Sequence, residues 1–418
     1  MPLRIRKAEV FLVKIPFWFS VEHASASRTA NVTGFCILSG EDGDFGVGEF
    51  LCREYVTGET LKDCMVYCKQ VGPLLTRSVI EDPLSFIQSL WQSEPTQGRV
   101  GYAAFCGMEL ALLDLWGKVV GKPVAEQLHP DVLCGAPQDE PVAPATPPRW
   151  DRHPAHAISS ALPCRPRVIT YSAVYPFASG LKRPMLHFFY QKLMRAEHIK
   201  VKGTGNIEED LAYIAAIRKA FSYPLDIRLD LNGSLSPEHA EEYCVGLLRS
   251  ANGVRWIEQP FPKDDWHTHR AFQKRFADDL VFCADESLCS MEDLQRMIHE
   301  GAFRAINIRV GKNGGLWNSL RLYEKAIANG LEVQLGCLVG ESSVLAYAGL
   351  HFSAVTDRLR YHEGCFGKYL IQWDGVQPSL MFSRTGQVSF DRLPKAGLVP
   401  SFDLAGLRRR AFQTTQVA

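Results

Sequence analysis

The sequence has no excess charge of one sign, because its 46 Lys and Arg residues are balanced by 46 Asp and Glu residues. Nucleic acids and anionic membrane surfaces attract proteins that carry an excess of positive charge, so the composition argues against both kinds of partner. The apolar stretch near the N-terminus is interrupted by Lys14 and Pro16, and it therefore fits neither a secretory signal nor a membrane-spanning helix. We expect a cytoplasmic protein that binds neither nucleic acid nor membrane.

Closely spaced cysteine pairs are also scarce. Cys64 and Cys68 lie four residues apart, but no second close pair completes a zinc site among the 12 cysteines. Several of the others lie inside apolar segments, where a free thiol packs as a small hydrophobic group. This distribution predicts reduced cysteines and a reducing compartment.

The chain of 418 residues, 46% of them apolar, is long enough for two domains with buried cores. Alternating apolar residues over 4–15 and 33–49 predict strands, and helical periodicity follows over 57–78 and 103–120. We therefore predict an α+β capping domain over residues 1–133.

A segment of different composition follows the capping domain. Residues 134–166 contain eight prolines and show no periodicity, which is typical of an inserted loop. Such an insertion is either inert or a lid over a site, and the proline content favours the inert alternative. Residues 375–418 are expected to return to the capping domain.

Residues 167–374 predict a parallel barrel. Short apolar strands alternate there with helical patterns, and the predicted strands cover residues 168–174, 198–203, 225–233, 253–259, 280–287, 305–311, 332–339 and 360–364. Each connection is long enough for a helical crossover, so the pattern indicates an α/β fold with a (β/α)8 TIM-like barrel. No glycine-rich phosphate loop follows the first strand, which makes other parallel-sheet folds a poorer fit.

Charged residues recur once per predicted strand at the carboxyl end of this barrel. Lys202, Asp230, Glu258, Asp285 and Arg309 follow one another at intervals of 28, 28, 27 and 24 residues. Three carboxylates on neighbouring strand ends would repel one another, and a hard divalent cation such as Mg²⁺ relieves that repulsion. The spacing therefore predicts a metal site that is flanked by two cationic side chains.

The alternative is a set of salt bridges without a metal. Asp230 would then pair with Arg228, and Glu258 would pair with Lys202, as ordinary ion pairs of modest energy. Three carboxylates in register on consecutive strands make the metal site the favoured interpretation.

Several motifs together resemble the enolase superfamily, in its muconate-lactonizing-enzyme subgroup. The motifs are Lys200-Val201-Lys202, Asp230-Leu231-Asn232, Glu258-Gln259-Pro260, Asp285-Glu286-Ser287 and the Gly314-Gly315 pair, with Gly46 to Phe50, Arg53 to Tyr55 and Gly121 to Val124 in the capping domain. The resemblance covers nearly the whole chain except 134–166. These motifs are specific to the superfamily and to no single reaction within it.

This resemblance implies residue roles and a cofactor. Asp230, Glu258 and Asp285 would ligate Mg²⁺, and Lys202 would remove the proton α to the carboxylate of a small-molecule substrate. For Lys200 it implies a neighbour that orients the substrate carboxylate, although a solvated lysine at the rim is an equal alternative. Members of the family tend to form symmetric assemblies, so a homo-oligomer is expected.

The sequence departs from the family pattern on the sixth strand. Dipeptide epimerases and muconate cycloisomerases carry a second lysine there, whereas this chain has Arg309, whose guanidinium is a poor base. Successive residues of a strand face opposite sides, so Lys312, three residues after Arg309, is expected to point away from it. A one-base lyase or cycloisomerase is therefore favoured over an epimerase or racemase of amino-acid derivatives or dipeptides. A catalytically silent binding protein on the same scaffold is the alternative from another class.

Five further residues are candidates for the site. Glu341 matches a family acid, or it is simply a charge favoured at a helix N-terminus. Glu363 lies where dipeptide epimerases hold acids for a substrate ammonium group, and Asn232 belongs to the metal-ligand motif. His23 and Tyr55 fall in capping-domain loops, where they either bind substrate or pack within the lid.

Overall fold

The computed structural model describes most of the chain. The described residues are 2–23, 26–93, 101–128, 168–176, 189–190, 194–250 and 253–418, with the backbone alone at 22, 23, 26 and 27. The proline-rich segment 134–166 lies outside the described residues.

An antiparallel sheet forms the first layer of the molecule. Its strands are β1 (Leu3–His23), β2 (Ala26–Gly40), β3 (Phe45–Phe50), the short β4 (Val79–Ile80) and β15 (Ala411–Gln416). They lie in the order β15-β1-β2-β3, with β4 on β1, so the last strand of the chain pairs with the first.

Helices α2 (Leu61–Arg77) and α4 (Tyr102–Val120) pack against this sheet, and α3 (Pro83–Trp91) and α5 (Val124–Gln127) contact α4. The short helix α1 (Glu54–Thr57) lies between β3 and α2 in the chain. Helix α4 lies directly on β3, and glycines permit that approach. A Cβ at Gly48 would lie 1.9 Å from the carbonyl oxygen of Gly107. The predicted α+β capping layer is thereby present, and its sheet is antiparallel.

The helix predicted from residue 57 begins later. Gly58 adopts a left-handed conformation and ends α1, and Thr60 then starts α2 through a reciprocal capping box with Asp63. Helix α3 was not predicted, although Asp82 at its N-cap and Pro83 in its first turn are the signals for such a start.

Eight parallel strands form the second layer, in strict chain order. They are β6 (Ala173–Tyr175), β7 (His198–Lys202), β8 (Asp226–Asp230), β9 (Trp256–Glu258), β10 (Val281–Ala284), β11 (Ala305–Ile308), β12 (Glu332–Leu335) and β13 (Leu359–His362). An isolated parallel bridge between Tyr171 and His362 joins the first edge to the last. The α/β fold and the barrel-type sheet with an N-terminal capping layer are confirmed.

Crossover helices connect these strands, namely α6 (Ile207–Ala220), α7 (Pro237–Arg249), α8 (Trp266–Arg275), α9 (Met291–Glu300), α10 (Gly315–Ala328) and α11 (Ser343–Val355). Two short helices, α12 (Gly367–Leu370) and α13 (Leu404–Arg410), and strand β14 (Gln387–Ser389) follow the barrel. Within the described residues, no helix combines the length and the apolar character needed to cross a membrane.

The first predicted barrel strand was placed too early. Residues Val168–Thr170 form β5, which pairs antiparallel with β14 outside the barrel. The barrel strand is β6, three residues later. A single apolar run covers both strands, so the sequence pattern does not reveal the change of partner at Tyr171 and Ser172.

Two carboxylates of the capping layer dock it onto the barrel. Glu109 in α4 accepts from the backbone N–H groups of Leu316 and Trp317 at the start of α10. Glu49 in β3 accepts from the backbone N–H groups of Ser342 and Leu345 at the start of α11. Each of these barrel helices therefore receives a carboxylate acceptor at its N-terminus from the other layer. The exact domain boundaries stay predictions.

Candidate active site

Three carboxylates meet at the carboxyl end of the barrel. Asp230 ends β8, Glu258 ends β9 and Asp285 follows β10, and each of the three is fully buried. Parallel pairing places Lys202 beside Asp230, and Asp230 beside Glu258, across neighbouring strands. The structure thus brings together the residues that the spacing selected.

Lys202 lies at the rim of this cluster. Its Nζ donates to Asp230 Oδ2 at 2.6 Å and to Asn232 Oδ1 at 2.8 Å, and 17% of its side chain is exposed. Asn232 has a positive φ of 45° and also donates from Nδ2 to Glu286 Oε1. Asn232 therefore holds the partly exposed amine of Lys202.

Lys200 is buried below Lys202, so the alternative of a solvated rim lysine is wrong. Its Nζ contacts Glu363 at 2.8 Å, Glu258 at 3.2 Å and Asp230 at 3.3 Å. Burial alone would lower the pKa of Lys200, but these three carboxylates raise it well above its usual value. Lys200 is therefore a fixed cation inside the barrel.

Glu258 is held from several sides. Asn307 Nδ2 donates to its Oε1 at 2.9 Å, and Gln334 Nε2 donates to its Oε2 at 2.6 Å. Lys200 donates to both oxygens. The two amide donors lie in strands β11 and β12, so the barrel fixes the orientation of this carboxylate.

Arg309 and Lys312 both contact Asp285, which corrects the expectation for Lys312. Arg309 forms a close ion pair with Asp285 Oδ2, and the fully buried Lys312 Nζ donates to Asp285 Oδ1 at 2.9 Å. Strand β11 ends at Ile308, so the alternation of side chains does not extend to residue 312. Burial raises the pKa of Asp285, but the two cations lower it below its usual value.

The ion pairs of the alternative without a metal are also different, and Glu258 contacts Lys200 instead of Lys202. Arg228 does not pair with Asp230. It donates instead to Glu363 Oε1 and, at 2.9 Å, to Ser172 Oγ inside the barrel. Both oxygens of Glu363 are thereby used, one by Arg228 and the other by Lys200. A carboxylate paired in this way is already neutralised by the protein itself.

Glu341 does not cap the helix that follows it. Ser342 is the N-cap and its Oγ accepts from the backbone N–H of Val344, while Glu49 accepts from the N–H groups of Ser342 and Leu345. Glu341 Oε2 accepts from the backbone N–H of Leu338 at 2.9 Å, and burial raises the pKa of Glu341 to about 8. Arg309, Glu341 and Glu363 line the same cavity.

The two capping-domain candidates lie in the cap. Tyr55 is 45% exposed in α1, and the guanidinium of Arg28 lies 4.9 Å from the centre of its ring. His23 ends β1, and its side chain lies outside the described residues. Their proposed contact with substrate stays a prediction.

Glu286 belongs to the Asp285-Glu286-Ser287 motif, but no catalytic or binding role is predicted for it from the sequence. Its Oε1 accepts from Asn232, whereas its buried Oε2 has no hydrogen-bond partner. Burial, together with Asp285 and Asp230, raises its pKa to about 7. The signal that could have identified it is its position directly after a predicted metal ligand.

The donor set suits a hard divalent cation, since it offers three buried carboxylates and the partnerless oxygen of Glu286. Within the described residues, no three carboxylate, imidazole or thiol groups already form a ligand cluster. Cations lie between the carboxylates instead: Lys200 contacts Asp230 and Glu258, while Arg309 contacts Glu258 and Asp285. Any bound ion would therefore share the cluster with two fixed cations.

Known proteins share this architecture. The chain is 25% identical over 352 residues to N-succinyl-L-Arg/Lys racemase of Bacillus cereus, covering 84% of each chain. The crystal structure of the N-succinyl Arg/Lys racemase of that organism superposes with a TM-score of 0.79 at 20% identity, covering 99% of this chain and 100% of the other.

Two further solved structures are similar in fold. Muconate lactonizing enzyme from Pseudomonas fluorescens, complexed with muconolactone, gives a TM-score of 0.77 at 23% identity over 98% of this chain and 99% of its own. Dipeptide epimerase from Enterococcus faecalis, complexed with Mg and L-Leu-L-Tyr, gives 0.76 at 19% identity over 94% and 98%.

The family model described as "Enolase C-terminal domain-like" matches residues 190–398, which is half of the chain. The matched segment contains strands β7 to β13 and every carboxylate of the cluster. The resemblance read from the motifs is thereby confirmed. The chain belongs to the enolase C-terminal domain-like family.

Proposed function

We propose that this protein is a Mg²⁺-assisted enzyme that removes the proton α to the carboxylate of a small-molecule substrate, with Lys202 as the base. The observation that carries the proposal is the position of the Lys202 amine. It lies partly exposed at the rim and contacts Asp230, a member of the carboxylate cluster. The four other cations of the cluster, Lys200, Arg228, Arg309 and Lys312, also pair with buried carboxylates, but their side chains are at most 11% exposed.

Asp230, Glu258 and Asp285 would hold the metal, which when bound would stabilise negative charge that develops on the substrate carboxylate. Lys202 takes the proton, and Asn232 Oδ1 fixes the position of its amine. Arg309 remains protonated, because Asp285 and Glu258 raise its pKa against the lowering effect of burial. Its fixed positive charge lies on the side of the cluster opposite Lys202.

A reaction with one base follows from this arrangement. Inversion by two bases needs a second group that can exchange a proton on the other face of the substrate. Arg309 cannot lose its proton there, and Lys312 is fully buried behind Asp285. We therefore favour elimination or cycloisomerisation.

Epimerisation is the second candidate. The curated relative from Bacillus cereus is an N-succinyl-L-Arg/Lys racemase, and other relatives are a hydrophobic dipeptide epimerase and an L-Ala-D/L-Glu epimerase. A substrate with a free α-ammonium group needs an acceptor carboxylate, and both oxygens of Glu363 are already paired. Within this candidate, acylated amino acids are therefore favoured over dipeptides.

The test is proton exchange in D₂O with added Mg²⁺. Acid sugars, N-succinyl amino acids, dipeptides and unsaturated diacids are incubated with the wild type, with Lys202→Ala, and with Lys274→Ala as a matched control. Lys274 is an exposed lysine of α8. We expect exchange or turnover in the wild type and the control, and a loss of about 10²–10⁴-fold in Lys202→Ala.

The stereochemistry of the recovered substrate distinguishes the two candidates. Deuterium at the α-carbon with retained configuration, or an eliminated or cyclised product, supports the one-base reaction. Deuterium in inverted substrate supports epimerisation. Full activity of Lys202→Ala contradicts the proposal, and a chain that neither binds Mg²⁺ nor exchanges any of these substrates would instead fit a binding protein.

The cytoplasmic location and the homo-oligomer stay predictions.

A further inference from the structure

A group of thiols lies in the capping layer, away from the carboxylate cluster. Cys52 follows β3, Cys64 lies in the first turns of α2, and their sulfur atoms are 3.0 Å apart. Cys64 is fully buried, whereas Cys52 is only partly buried. Three more buried cysteines, Cys36, Cys68 and Cys106, lie near this pair.

The separation of the two sulfurs is short for thiols that merely pack together. A disulfide bond is about 2.05 Å long, so a movement of about 1 Å would bring Cys52 and Cys64 to bonding distance. Both segments are well anchored, because β3 pairs with β2 along its length and the capping box of Thr60 and Asp63 fixes the start of α2. The proximity therefore follows from the fold.

Metal binding does not explain the group, since no metal cluster is formed by cysteines in the described part of the chain. Ordinary core packing explains Cys36, Cys68 and Cys106, which are inaccessible to reagents in solution. It does not explain why Cys52, a partly exposed residue, contacts the sulfur of a buried cysteine. In redox-sensitive proteins, such a pair consists of the thiol that is first oxidised and the thiol that then resolves it.

We propose that Cys52 and Cys64 are an oxidation site that forms a reversible disulfide when the protein meets a hydroperoxide. The sulfur of Cys52 attacks the O–O bond, giving a sulfenic acid and water. The thiol of Cys64 then attacks that sulfur, so that the S–S bond forms, the S–O bond breaks and a second water leaves. The two thiols lose two electrons and two protons, hydrogen peroxide is reduced to two waters, and an external dithiol reverses the change.

The disulfide would act on the loop that docks the cap onto the barrel. The next residue, Arg53, donates from Nη1 to the carbonyl oxygen of Cys52 at 3.0 Å and from Nη2 to that of Val339 at 2.6 Å. Val339 lies in the loop after β12, two residues before Glu341. Bonding Cys52 to Cys64 therefore ties the first turn of α2 to a segment that contacts the rim of the barrel.

The experiment treats the reduced full chain with hydrogen peroxide, alkylates the remaining thiols and maps the peptides by mass spectrometry. We expect a cross-linked Cys52–Cys64 peptide whose mass is lower by two hydrogen atoms, and its disappearance after dithiothreitol. Thermal unfolding before and after oxidation is measured in parallel, and the oxidised protein is expected to unfold at a higher temperature because the bond constrains the unfolded chain.

Two variants separate the steps. In Cys64→Ser, oxidation is expected to stop at a sulfenic acid on Cys52 that dimedone captures, and in Cys52→Ser the thiol of Cys64 is expected to stay reduced. Cys244→Ser, in α7, serves as the control and is expected to oxidise as the wild type does. A wild-type map without the Cys52–Cys64 peptide, or with Cys52 joined to a different cysteine, overturns the proposal whether or not the variants fold. The result does not depend on the proposed reaction.

Discussion

Breaking the buried ion pair of Arg228 should destabilise the protein strongly. The side chain of Arg228 is 1% exposed inside the barrel, where it pairs with Glu363 and lies over the ring of Tyr361 at 4.3 Å. Arg228→Met keeps much of the volume but removes one of the two ion-pair partners that Glu363 has among the described residues, the other being Lys200. Removing one member of a buried pair typically costs about 3–5 kcal/mol, and we expect a loss of that size.

The assay is urea unfolding of the single and double variants. The double variant Arg228→Met with Glu363→Gln should lose less free energy of unfolding than the two single variants lose together. The difference, which is the coupling energy of the pair, should be about 1–3 kcal/mol. Arg275→Met is the matched control, because Arg275 pairs with Glu241 while both side chains are more than half exposed, and such pairs contribute about 0–1 kcal/mol. A loss below about 1 kcal/mol in Arg228→Met, or additive variants, would refute the reasoning.

Three further predictions concern docking, pH and the missing second base. Glu109→Gln removes one of two acceptors at the start of α10, so urea unfolding should show a loss of about 1–3 kcal/mol, and an unchanged stability would contradict this docking contact. Burial lowers the pKa of His351 to about 4. The neutral imidazole therefore contributes stability that is fully present above pH 6.5 and is lost as the pH falls towards 4, by up to about 3 kcal/mol. His351→Gln should flatten the pH dependence of the free energy of unfolding between these two pH values. Arg309→Lys supplies an amine that can lose its proton, and the appearance of inverted substrate in D₂O is expected, whereas the absence of any change in stereochemistry would count against Arg309 as the reason for one-base chemistry.

The sequence was informative where regular strands repeat. Lys202, Asp230 and Glu258 end their strands as their spacing predicted, because one βα unit separates each from the next. The alternation of side chains between the two faces applies inside those strands, and it does not predict the direction of a side chain beyond the end of a strand. Lys312 follows the end of β11, where the chain turns and the side chain swings back onto Asp285.

Other features depend on contacts between distant segments. Glu49 accepts from a backbone N–H group at the start of α11 across 293 residues of chain, so no local pattern could show this contact. Helix α8 was missed because its sequence, WHTHRAFQKR, has too few apolar residues for a clear period. The partners of Arg228 could not be predicted, since strand order places Glu363 beside the first strands only when the barrel closes.

The most direct test of the account is chemical rescue of Lys202→Ala. The test uses a substrate identified in the exchange experiment above. The exchange rate of its α-proton is measured by NMR in D₂O for the wild type, for Lys202→Ala, and for this variant with added methylamine. If the amine of Lys202 takes the proton, the variant loses exchange and small amines restore it, faster as their basicity rises. Wild-type exchange in Lys202→Ala without any amine would contradict the account.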